Sequence, residues 1–501
     1  MILELLGNGR PSDTAIVVSD GGPTVTYAQL REQVERLALT LNQLGLGRND
    51  RIAIALPNGL EMIAAFLAAS TAGTAAPLNP AYRRDEFKFY LDDTSARALI
   101  VPPNDLAEAR AAAGDNITIV EADLDPDGAV RFSSGTTLKA SRARDYPSNN
   151  ETALILHTSG TTSRPKRVPL SHLNLMTSAR NVAETYQLTA EDVSLCVMPL
   201  FHVHGLVAST LATLFTGGTV VVPPKFNPLS FWSTAREHRA TWYSAVPTIH
   251  QVLLARAKAG KRPDGAEHLR FVRSCSAALA PQTMADLEDR FGAPVLEAYG
   301  MTEAAHQMAS NPLPPSTRKP GSVGRGTAVE IAILNEAGDL LPAHTTGEVS
   351  IKGPNVFGGY EGNAEANLSS FSNGWFRTGD QGYLDDDGYL TLVGRLKELI
   401  NRGGEKISPR EIDEALLTHT AVAEAVCFGK PDRTYGEEVV AAVVLRDTTN
   451  EKDLIAHCRT SLSDFKCPKK IYIVDAIPRT ATGKIQRRNV AAAILESENA
   501  N

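Results

Sequence analysis

The sequence has 501 residues, of which 43% are hydrophobic and 21% are charged. That length is about three times a typical domain of ~150 residues, so we expect two or three domains, and the composition excludes a disordered or fibrous protein. Fifty Lys and Arg residues against 57 Asp and Glu residues give a net charge of −7, which offers no support for nucleic-acid binding.

Membrane insertion and secretion find no support in the sequence either. The longest apolar run, Met62 to Ala69, is eight residues long, whereas a membrane helix needs about 20. The N-terminus has an early acidic residue and no basic region, and the five cysteines show no CxxC spacing. We therefore expect a soluble cytoplasmic enzyme, with no membrane or nucleic-acid partner, that acts as a monomer or a homodimer.

The first two-thirds of the chain alternates helical patterns with short apolar strands. Leucine and valine recur at helical spacing over residues 28–45, and a second helix is predicted over 61–70. Strands are predicted at 51–56, 98–101, 152–156, 219–222, 241–246 and 271–273. Such alternation favours an α/β fold with mainly parallel sheets covered by helices.

The pattern changes after about residue 320, where glycine and turn residues predict a small unit of antiparallel strands. From about residue 398 an α+β pattern follows, with helices at 409–417 and 452–463 and strands at 422–428, 438–445 and 470–474. The predicted plan is a large N-terminal domain (1–394) that includes the small β unit, a hinge (395–397) and a smaller mobile C-terminal domain (398–501).

A loop of hydroxyl residues follows the strand at 152–156. Five consecutive positions carry a hydroxyl group or are glycine, namely Thr158, Ser159, Gly160, Thr161 and Thr162. Their N–H and O–H donors can surround phosphate oxygens, and Lys166 adds a positive charge. The loop lacks the GxxxxGK[ST] pattern of a Walker loop.

Three further segments carry residues suited to a nucleotide. Asp380 can bond a ribose diol, and Arg395 begins a cationic run in which Gly403 and Gly404 allow close approach of a ligand. Lys484 follows a glycine near the C-terminus, where a lysine on a mobile lid can deliver its charge on closure.

Histidines and one carboxylate complete the candidate residues. His202 and His204 are two residues apart and could supply half of the ligands of a metal site, but no third ligand stands near them in the sequence. In the segment that leads to His306, Tyr299 can stack on a purine, and Thr302 and Glu303 can bond phosphate and hold Mg²⁺.

In this order, the segments resemble those of the adenylate-forming superfamily of acyl-CoA synthetases, adenylation domains and beetle luciferases. The resemblance covers nearly the whole chain and implies a large N-terminal domain joined to a smaller C-terminal lid at Lys397. It implies a reaction in which ATP, with Mg²⁺, activates a carboxylate as an acyl-adenylate, and the thiol of coenzyme A then displaces AMP.

The resemblance assigns a role to each matching residue. Phosphate contacts fall to Thr158, Ser159, Gly160, Thr161, Thr162, Lys166 and Thr302. The adenosine contacts fall to Ser276, Ala277, Ala278, Tyr299, Asp380 and Arg395. Glu303 is implied as the Mg²⁺ ligand, and Gly403 and Gly404 as the wall of the CoA tunnel. The implied catalytic residues are Lys484, His202 and Thr302, with Lys484 bridging the substrate carboxylate and the α-phosphate.

Within the superfamily, the chain is most similar to the oxalate–CoA ligases, which implies oxalate as the acid. The second carboxylate of oxalate needs hydrogen-bond donors, and the candidates are His202, His204, Ser274, Ser276 and His306. Malonate or another short acid remains an alternative substrate, and loading of a carrier protein an alternative second step.

One residue departs from the pattern of the superfamily. The usual loop ends Pro-Lys-Gly, and this chain has Arg167 in place of that glycine. If the position requires a positive φ, a non-glycine residue there costs about 1 kcal/mol or more.

Overall fold

The computed structural model describes residues 1–136, 146–158, 165–258, 260–480 and 484–500. The strands are β1 (Thr14–Val18), β2 (Thr24–Thr26), β3 (Arg51–Ile54), β4 (Thr74–Pro77), β5 (Ala98–Val101), β6 (Thr118–Leu124), β7 (Val130–Ser133), β8 (Thr152–Thr158), β9 (Lys166–Ser171), β10 (Val193–Leu195), β11 (Thr219–Val222), β12 (Trp242–Ala245), β13 (Phe271–Ser274), β14 (Val295–Met301), β15 (His306–Ser310), β16 (Arg325–Gly326), β17 (Glu330–Leu334), β18 (Gly347–Lys352), β19 (Phe371–Ser372), β20 (Trp375–Leu384), β21 (Leu390–Arg395), β22 (Ile400–Arg402), β23 (Glu405–Ile407), β24 (Val422–Asp432), β25 (Gly436–Leu445) and β26 (Lys470–Ile473).

The α-helices are α1 (Tyr27–Gln43), α2 (Leu60–Ala72), α3 (Arg84–Thr94), α4 (Ala107–Ala113), α5 (His172–Thr185), α6 (Ala212–Phe215), α7 (Phe231–Glu237), α8 (Pro247–Arg256), α9 (Pro281–Phe291), α10 (Ala364–Ser370), α11 (Pro409–Leu417), α12 (Glu451–Arg459) and α13 (Arg487–Ala500). A π-helical segment covers His204–Leu211, and 3₁₀ turns cover Ile2–Gly7, Thr302–Ala304, Leu396–Glu398 and Asp464–Lys466.

Two large sheets form the body of the molecule. Within the described ranges, one has the strand order β7-β6-β5-β3-β4-β8-β9 and the other β16-β15-β14-β13-β12-β10-β11-β1-β2. The inner pairs of both sheets are parallel, as between β12 and β13, and antiparallel pairs such as β8 with β9 lie toward the edges. The predicted α/β architecture with mainly parallel sheets is confirmed.

Helix α2 explains the longest apolar run in the sequence. Every residue of this helix except Glu61 is buried, and it packs against β4 and β6 of one large sheet and β1 of the other. A helix enclosed on all sides needs apolar residues around its whole circumference. In the part of the chain that the structure describes, no helix has the length and hydropathy to cross a bilayer.

Two smaller sheets follow in the chain. The first, β17-β18-β20-β19 with β21 beside β20, is antiparallel and confirms the small β unit predicted after residue 320. The second, β23-β22-β25-β24 with β26 beside β25, is packed by α11 and α13 and is the predicted α+β unit. The domain boundaries at residues 394 and 398 stay predictions.

The ends of predicted elements differ from the observed ends where side chains compete with the helix backbone. The strand predicted at 98–101 and the helix at 409–417 have the observed bounds. The helix predicted over 452–463 ends at Arg459, because the Thr460 hydroxyl donates to the His457 carbonyl and the chain turns there. Helix α1 begins at Tyr27, one residue earlier than predicted, because Thr26 and Gln29 form a capping box.

Candidate active site

Asp380 brings together three of the residues predicted to contact adenosine. The pairing of β20 with β21 places Asp380 opposite Arg395, and Arg395 Nε lies 3.0 Å from Asp380 Oδ1. The Tyr299 hydroxyl donates to Asp380 Oδ2. Asp380 is only 6% exposed, so two charge-assisted contacts fix the direction of a buried carboxylate.

Glu303 lies in the 3₁₀ turn after β14, which also holds Thr302. The Tyr360 hydroxyl donates to Glu303 Oε1 at 2.8 Å, and Lys166 Nζ lies 4.2 Å above the centre of the Tyr360 ring. Burial raises the pKa of Glu303, whereas the Tyr360 hydroxyl, Arg395 and Lys166 lower it. The structure therefore places the predicted metal ligand beside the predicted phosphate-binding lysine.

Strands β8 and β9 form the hairpin that carries the hydroxyl loop. Thr158 and Lys166 are paired at the end of the hairpin from which the loop leaves. Ser159, Gly160, Thr161 and Thr162 lie outside the described residues, so their predicted phosphate contacts stay predictions. Burial, and next the charge of Lys397, lower the pKa of Lys166, which shows that the proposed hinge residue stands near the base of this loop.

Arg167 does not carry the strain that its replacement of glycine suggested. It lies in regular strand conformation within β9, opposite His157, and is absent from the residues with positive φ. Its guanidinium donates to the Asp93 carbonyl and lies 3.4 Å from Glu361 Oε1, while His157 Nε2 lies 2.9 Å from Asp93 Oδ2. The condition for a backbone penalty is therefore not met, because this position is a strand residue, and its side chain ties the hairpin to its neighbours.

Lys484, from the C-terminal unit, stands beside the groups of the large domain. Burial and then Arg395 lower the pKa of Lys484, while Asp380 and Glu303 raise it. The charge of Lys484 in turn lowers the pKa of His202. Its ammonium group is therefore within electrostatic range of both the nucleotide residues and the histidines, which is the place predicted for a lysine that bridges the two substrates.

Gly403 and Gly404 occupy the turn between β22 and β23. Their φ angles of +59° and +93° suit glycine, and Gly403 N donates to the Tyr435 carbonyl at 2.8 Å. Both are exposed. In this arrangement of the two domains, Lys484 faces the candidate site, and the contacts described for the glycine pair lie within the C-terminal sheet.

The histidines form a second cluster, which we call the acyl side (His202, His204, His306 and Ser276). The rings of His204 and His306 are 5.1 Å apart, and His204 Nδ1 lies 3.1 Å from Ser276 Oγ. The His202 Nδ1 atom accepts a bond from the His204 backbone N–H. Burial lowers the pKa of His202 to about 3 and those of His204 and His306 well below the usual value, so these rings are neutral.

The positive charge on the acyl side belongs to Arg273, on β13. This side chain is 0% exposed and has no carboxylate partner among the described residues. Its guanidinium donates to the Tyr186 hydroxyl, Ser244 Oγ and Gln307 Oε1, and lies 3.3 Å from His306 Nδ1. Buried charges are ordinarily paired, so this guanidinium is a candidate for interaction with an anionic substrate.

Backbone conformation also marks the acyl side. Ser276 and His306 have positive φ angles of 73° and 114°, a backbone conformation that is costly for residues other than glycine. Gly300 permits this geometry, since a Cβ there would stand 2.1 Å from the His306 carbonyl oxygen. Strain of this kind concentrates at functional sites.

The other predicted residues in and after β13 do not all lie near the histidines. Ala277 and Ala278 are exposed and follow Ser276 in the loop, as expected of residues that line an open pocket. Ser274 neighbours Arg273 on β13, so its side chain points to the opposite face of the sheet, beside Glu297. The structure does not bring Ser274 to the histidines.

Comparison with known protein families identifies the chain. The AMP-binding enzyme family matches residues 5–361, and the AMP-binding enzyme C-terminal domain matches residues 411–484. The chain belongs to the AMP-binding enzyme family. The predicted superfamily is thereby confirmed.

Two relatives of this AMP-binding enzyme cover almost the whole chain. One is an oxalate–CoA ligase of Arabidopsis thaliana, 47% identical over 99% of this chain and 98% of the relative. The other is an oxalate–CoA ligase of Saccharomyces cerevisiae, 44% identical over 97% of this chain and 95% of the relative.

Among solved structures, the enzyme is similar to MatB from Rhodopseudomonas palustris. The ATP-bound form has a TM-score of 0.87 at 31% identity and covers 98% of both chains. The apo form of the same protein has a TM-score of 0.77 and covers 99% of both chains. The overall arrangement of this AMP-binding enzyme is therefore nearer to the ATP-bound form.

Sequence reasoning missed three residues of the site. Arg273 is absent from the predicted site, although a basic residue within the apolar strand Phe271–Ser274 is a sequence signal of a buried charge. Tyr360 and Ser244 carry no sequence signal, because the contacts that place them in the site are with residues more than 25 positions away. In the described ranges, no cluster of three or more His, Cys, Asp or Glu side chains is suited to a metal ion.

Proposed function

We propose that this enzyme is an ATP-dependent oxalate–CoA ligase. A carboxylate oxygen of oxalate attacks the α-phosphorus of ATP, the bond to pyrophosphate breaks, and oxalyl-adenylate forms. The thiolate of coenzyme A then attacks the oxalyl carbon and AMP leaves, which gives oxalyl-CoA. The similarity to two oxalate–CoA ligases, 47% and 44% identical over nearly the whole chain, supports this reaction.

The position of Lys484 supports its role in the first step. The attacking carboxylate and the α-phosphate are both anions, so their approach requires positive charge between them. Lys484 stands within range of Asp380 and Glu303 on the nucleotide side and of His202 on the acyl side. We assign Lys484 to this bridge, with Thr302 beside the α-phosphate and His202 beside the reacting carboxylate.

Asp380, Arg395 and Tyr299 are assigned to adenosine. The Asp380 carboxylate is held by the other two, and one oxygen can accept bonds from ribose hydroxyls when Arg395, which is exposed, shifts toward the nucleotide. Ser276, Ala277 and Ala278 are assigned to the adenine edge. Thr158, Ser159, Gly160, Thr161, Thr162 and Lys166 are assigned to the β- and γ-phosphates.

A magnesium ion fits Glu303 as its protein ligand. Mg²⁺ typically takes one or two carboxylates, substrate phosphates and water, and Glu303 is a buried carboxylate whose described partner is one tyrosine hydroxyl on Oε1. When bound, the ion would neutralise phosphate charge. Lys166, near Glu303, would hold the phosphates from the other side.

The second step requires the C-terminal domain to turn. We assign Lys397 as the hinge, because it lies in the 3₁₀ turn between β21 and β22, where the small β unit gives way to the C-terminal sheet. Rotation there would withdraw Lys484 and bring Gly403 and Gly404 to the site, where their lack of side chains leaves space for the thiol arm of CoA. Both are exposed and free to take this place.

The acyl side is the observation that carries the assignment of oxalate. It holds three neutral histidines and the unpaired charge of Arg273, and this polar lining suits a second carboxylate close to the first. A fatty acid would bury an alkyl chain against these donors at a cost of several kcal/mol. Malonate carries the same second charge one carbon further away, and it remains the second candidate acid. The assignment of the site residues, like the cytoplasmic location and the monomeric or dimeric state, stays a prediction.

The test is AMP release that depends on both ATP and CoA, measured with oxalate, malonate, acetate and octanoate in parallel. We expect oxalate to lead by at least a hundredfold in kcat/KM, which corresponds to about 2.7 kcal/mol of discrimination in the transition state. Preference for malonate or octanoate would overturn the assignment of oxalate as the substrate, but the reaction class would stand. AMP formation that needs a carrier protein in place of CoA would overturn the second step.

A further inference from the structure

Arg273 contacts two of the three histidines of the acyl side, His306 directly and His204 through a serine. A guanidinium group carries only donors, so each of its contacts fixes the hydrogen on the partner atom. This further argument rests on the proposed oxalate ligase activity, since it concerns how the same site recognises its acid.

The direct contact sets the tautomer of His306. Arg273 Nη2 lies 3.3 Å from His306 Nδ1, and that nitrogen must accept. A neutral imidazole with an accepting Nδ1 carries its hydrogen on Nε2. The nearest partner described for Nε2 is the Cys275 sulfur at 4.0 Å, too long for a strong bond. The Nε2–H group is therefore a donor that the chain itself barely uses.

The indirect contact passes through Ser244. Arg273 Nη1 donates to Ser244 Oγ at 2.9 Å, and the same oxygen lies 2.6 Å from His204 Nε2. Ser244 Oγ is buried, with these two partners among the described residues. Its own hydrogen is satisfied only if it donates to His204 Nε2, because accepting both bonds would leave a buried O–H unpaired.

The tautomer of His204 then sets the direction of Ser276. With Nε2 accepting, the His204 hydrogen is on Nδ1, which donates to Ser276 Oγ at 3.1 Å. Since that bond uses Ser276 as acceptor, its hydroxyl hydrogen is left for another group. Ser276 is partly exposed and His306 lies against His204, so both outgoing donors belong to one pocket.

We propose that Arg273 is a positioning residue that orients two neutral donors, Ser276 O–H and His306 Nε2–H, toward the distal carboxylate of the substrate. Because Arg273 is fully buried, its charge acts from behind these donors. Because the donors cannot reverse, the pocket requires a second group that accepts hydrogen bonds. A substrate without one leaves buried donors unpaired, which costs far more than a poor apolar fit.

Neutron diffraction from deuterated crystals of the full-length enzyme tests the tautomers directly. We expect deuterium on His306 Nε2 and His204 Nδ1, and none on His306 Nδ1 or His204 Nε2. Deuterium on both nitrogens of either ring, or on His306 Nδ1, would overturn the proposal. This measurement needs no substrate, so it stands or fails separately from the identity of the acid.

Ser244→Ala tests the function of the indirect branch with a small change. We expect the KM for oxalate to rise about tenfold while the KM for ATP stays within twofold, since the substitution frees His204 and leaves the nucleotide residues in place. The matched control is Ser194→Ala, which removes a buried hydroxyl without a described partner from the neighbouring strand β10. Equal changes in both KM values, or no change in the KM for oxalate, would overturn the proposal.

Arg273→Met removes both branches and should raise the KM for oxalate a hundredfold or more. If this variant does not fold, Ser244→Ala and the neutron data decide. Full turnover of oxalate with the wrong tautomers would reject the role of Arg273 alone. The expected tautomers in an enzyme that prefers another acid would reject oxalate as the substrate and keep the orientation of the donors.

Discussion

The two halves of the active site balance their charges in opposite ways. On the nucleotide side, each buried carboxylate has a partner from the chain: Asp380 has Arg395 and Tyr299, and Glu303 has Tyr360 with Lys166 near. On the acyl side, the buried charge of Arg273 has no carboxylate partner among the described residues. The carboxylates of the nucleotide side therefore have partners within the chain, whereas the cation of the acyl side is held by neutral groups.

Lys484 joins the two halves, so its loss should have the largest effect. We expect Lys484→Ala to slow ATP–pyrophosphate exchange by a hundredfold to a thousandfold, because it removes the charge between two anions. Thioester formation from supplied oxalyl-adenylate should change little, since Lys484 has then left the site. Lys452→Ala, on an exposed position of α12, is the control. Equal loss in both half-reactions would contradict the exchange of Lys484 for the glycine pair.

Asp380→Asn should separate the nucleotide side from the acyl side. The substitution removes the charge that holds Arg395, so we expect the KM for ATP to rise tenfold to a hundredfold, as for the loss of a charge-assisted bond. The KM for oxalate should stay within about threefold. The control is Asp385→Asn on the same hairpin, where the carboxylate binds Lys319. A larger effect on oxalate than on ATP would mean that the two halves do not act separately.

Glu297 is a buried carboxylate that does not follow this pattern. It lies on the face of the sheet opposite to Arg273. It is 1% exposed, and its Oε2 has no hydrogen-bond partner in the part of the chain that the structure describes. Burial raises the pKa of Glu297 from 4.5 to about 7, with Arg410 of the C-terminal domain opposing the shift. Arg273 is a buried cation held by neutral groups, whereas Glu297 is a buried carboxylate whose charged form is disfavoured.

The sign of the pH dependence follows from this raised pKa. Protonated Glu297 contributes stability in full below pH 4.5, and that contribution is lost as the pH rises through about 7. Glu297→Gln should therefore be more stable than the wild type at pH 8, by about 3 kcal/mol, and equal to it near pH 4.5. Urea unfolding at the two pH values measures this difference. Lower stability of the variant at pH 8 would show that Glu297 is ionised and paired.

The sequence predicted the nucleotide side better than the acyl side, for a physical reason. Asp380, Arg395 and Glu303 stand in segments whose residue types already suggest phosphate or ribose binding, and the structure brings them together. On the acyl side the sequence suggested histidines as hydrogen-bond donors. It could not show that they are neutral, because the burial that lowers their pKa depends on contacts between distant segments. Arg273 meets Ser244 and His306 only through strand pairing, and no local pattern encodes that register.

Substitutions of Arg167 should have the smallest effect, a small change in the free energy of unfolding. They also test whether the residue type usual in the superfamily predicts the backbone conformation at this position. Both carboxylates near Arg167 have a second partner, so removing its guanidinium leaves Asp93 bonded to the His157 ring and Glu361 paired with Arg51. We expect Arg167→Ala to lower the free energy of unfolding by only about 1 kcal/mol, as for a partly buried ion pair. A double-mutant cycle with Glu361→Gln in urea unfolding should assign about half of this to the Arg167–Glu361 pair.

Arg167→Gly then distinguishes strand conformation from a glycine turn. In a strand, glycine is less stable than alanine by 0.5 to 1 kcal/mol, roughly, because it loses more backbone entropy on folding. We therefore expect stability to fall in the order wild type, Ala, Gly, although glycine is the residue usual in the superfamily. If the glycine variant were the most stable of the three, the position would favour a positive φ, and the side-chain network around Arg167 would be compensation for strain. The expected order means that the nucleotide side exchanged a flexible residue for an anchoring one without backbone cost.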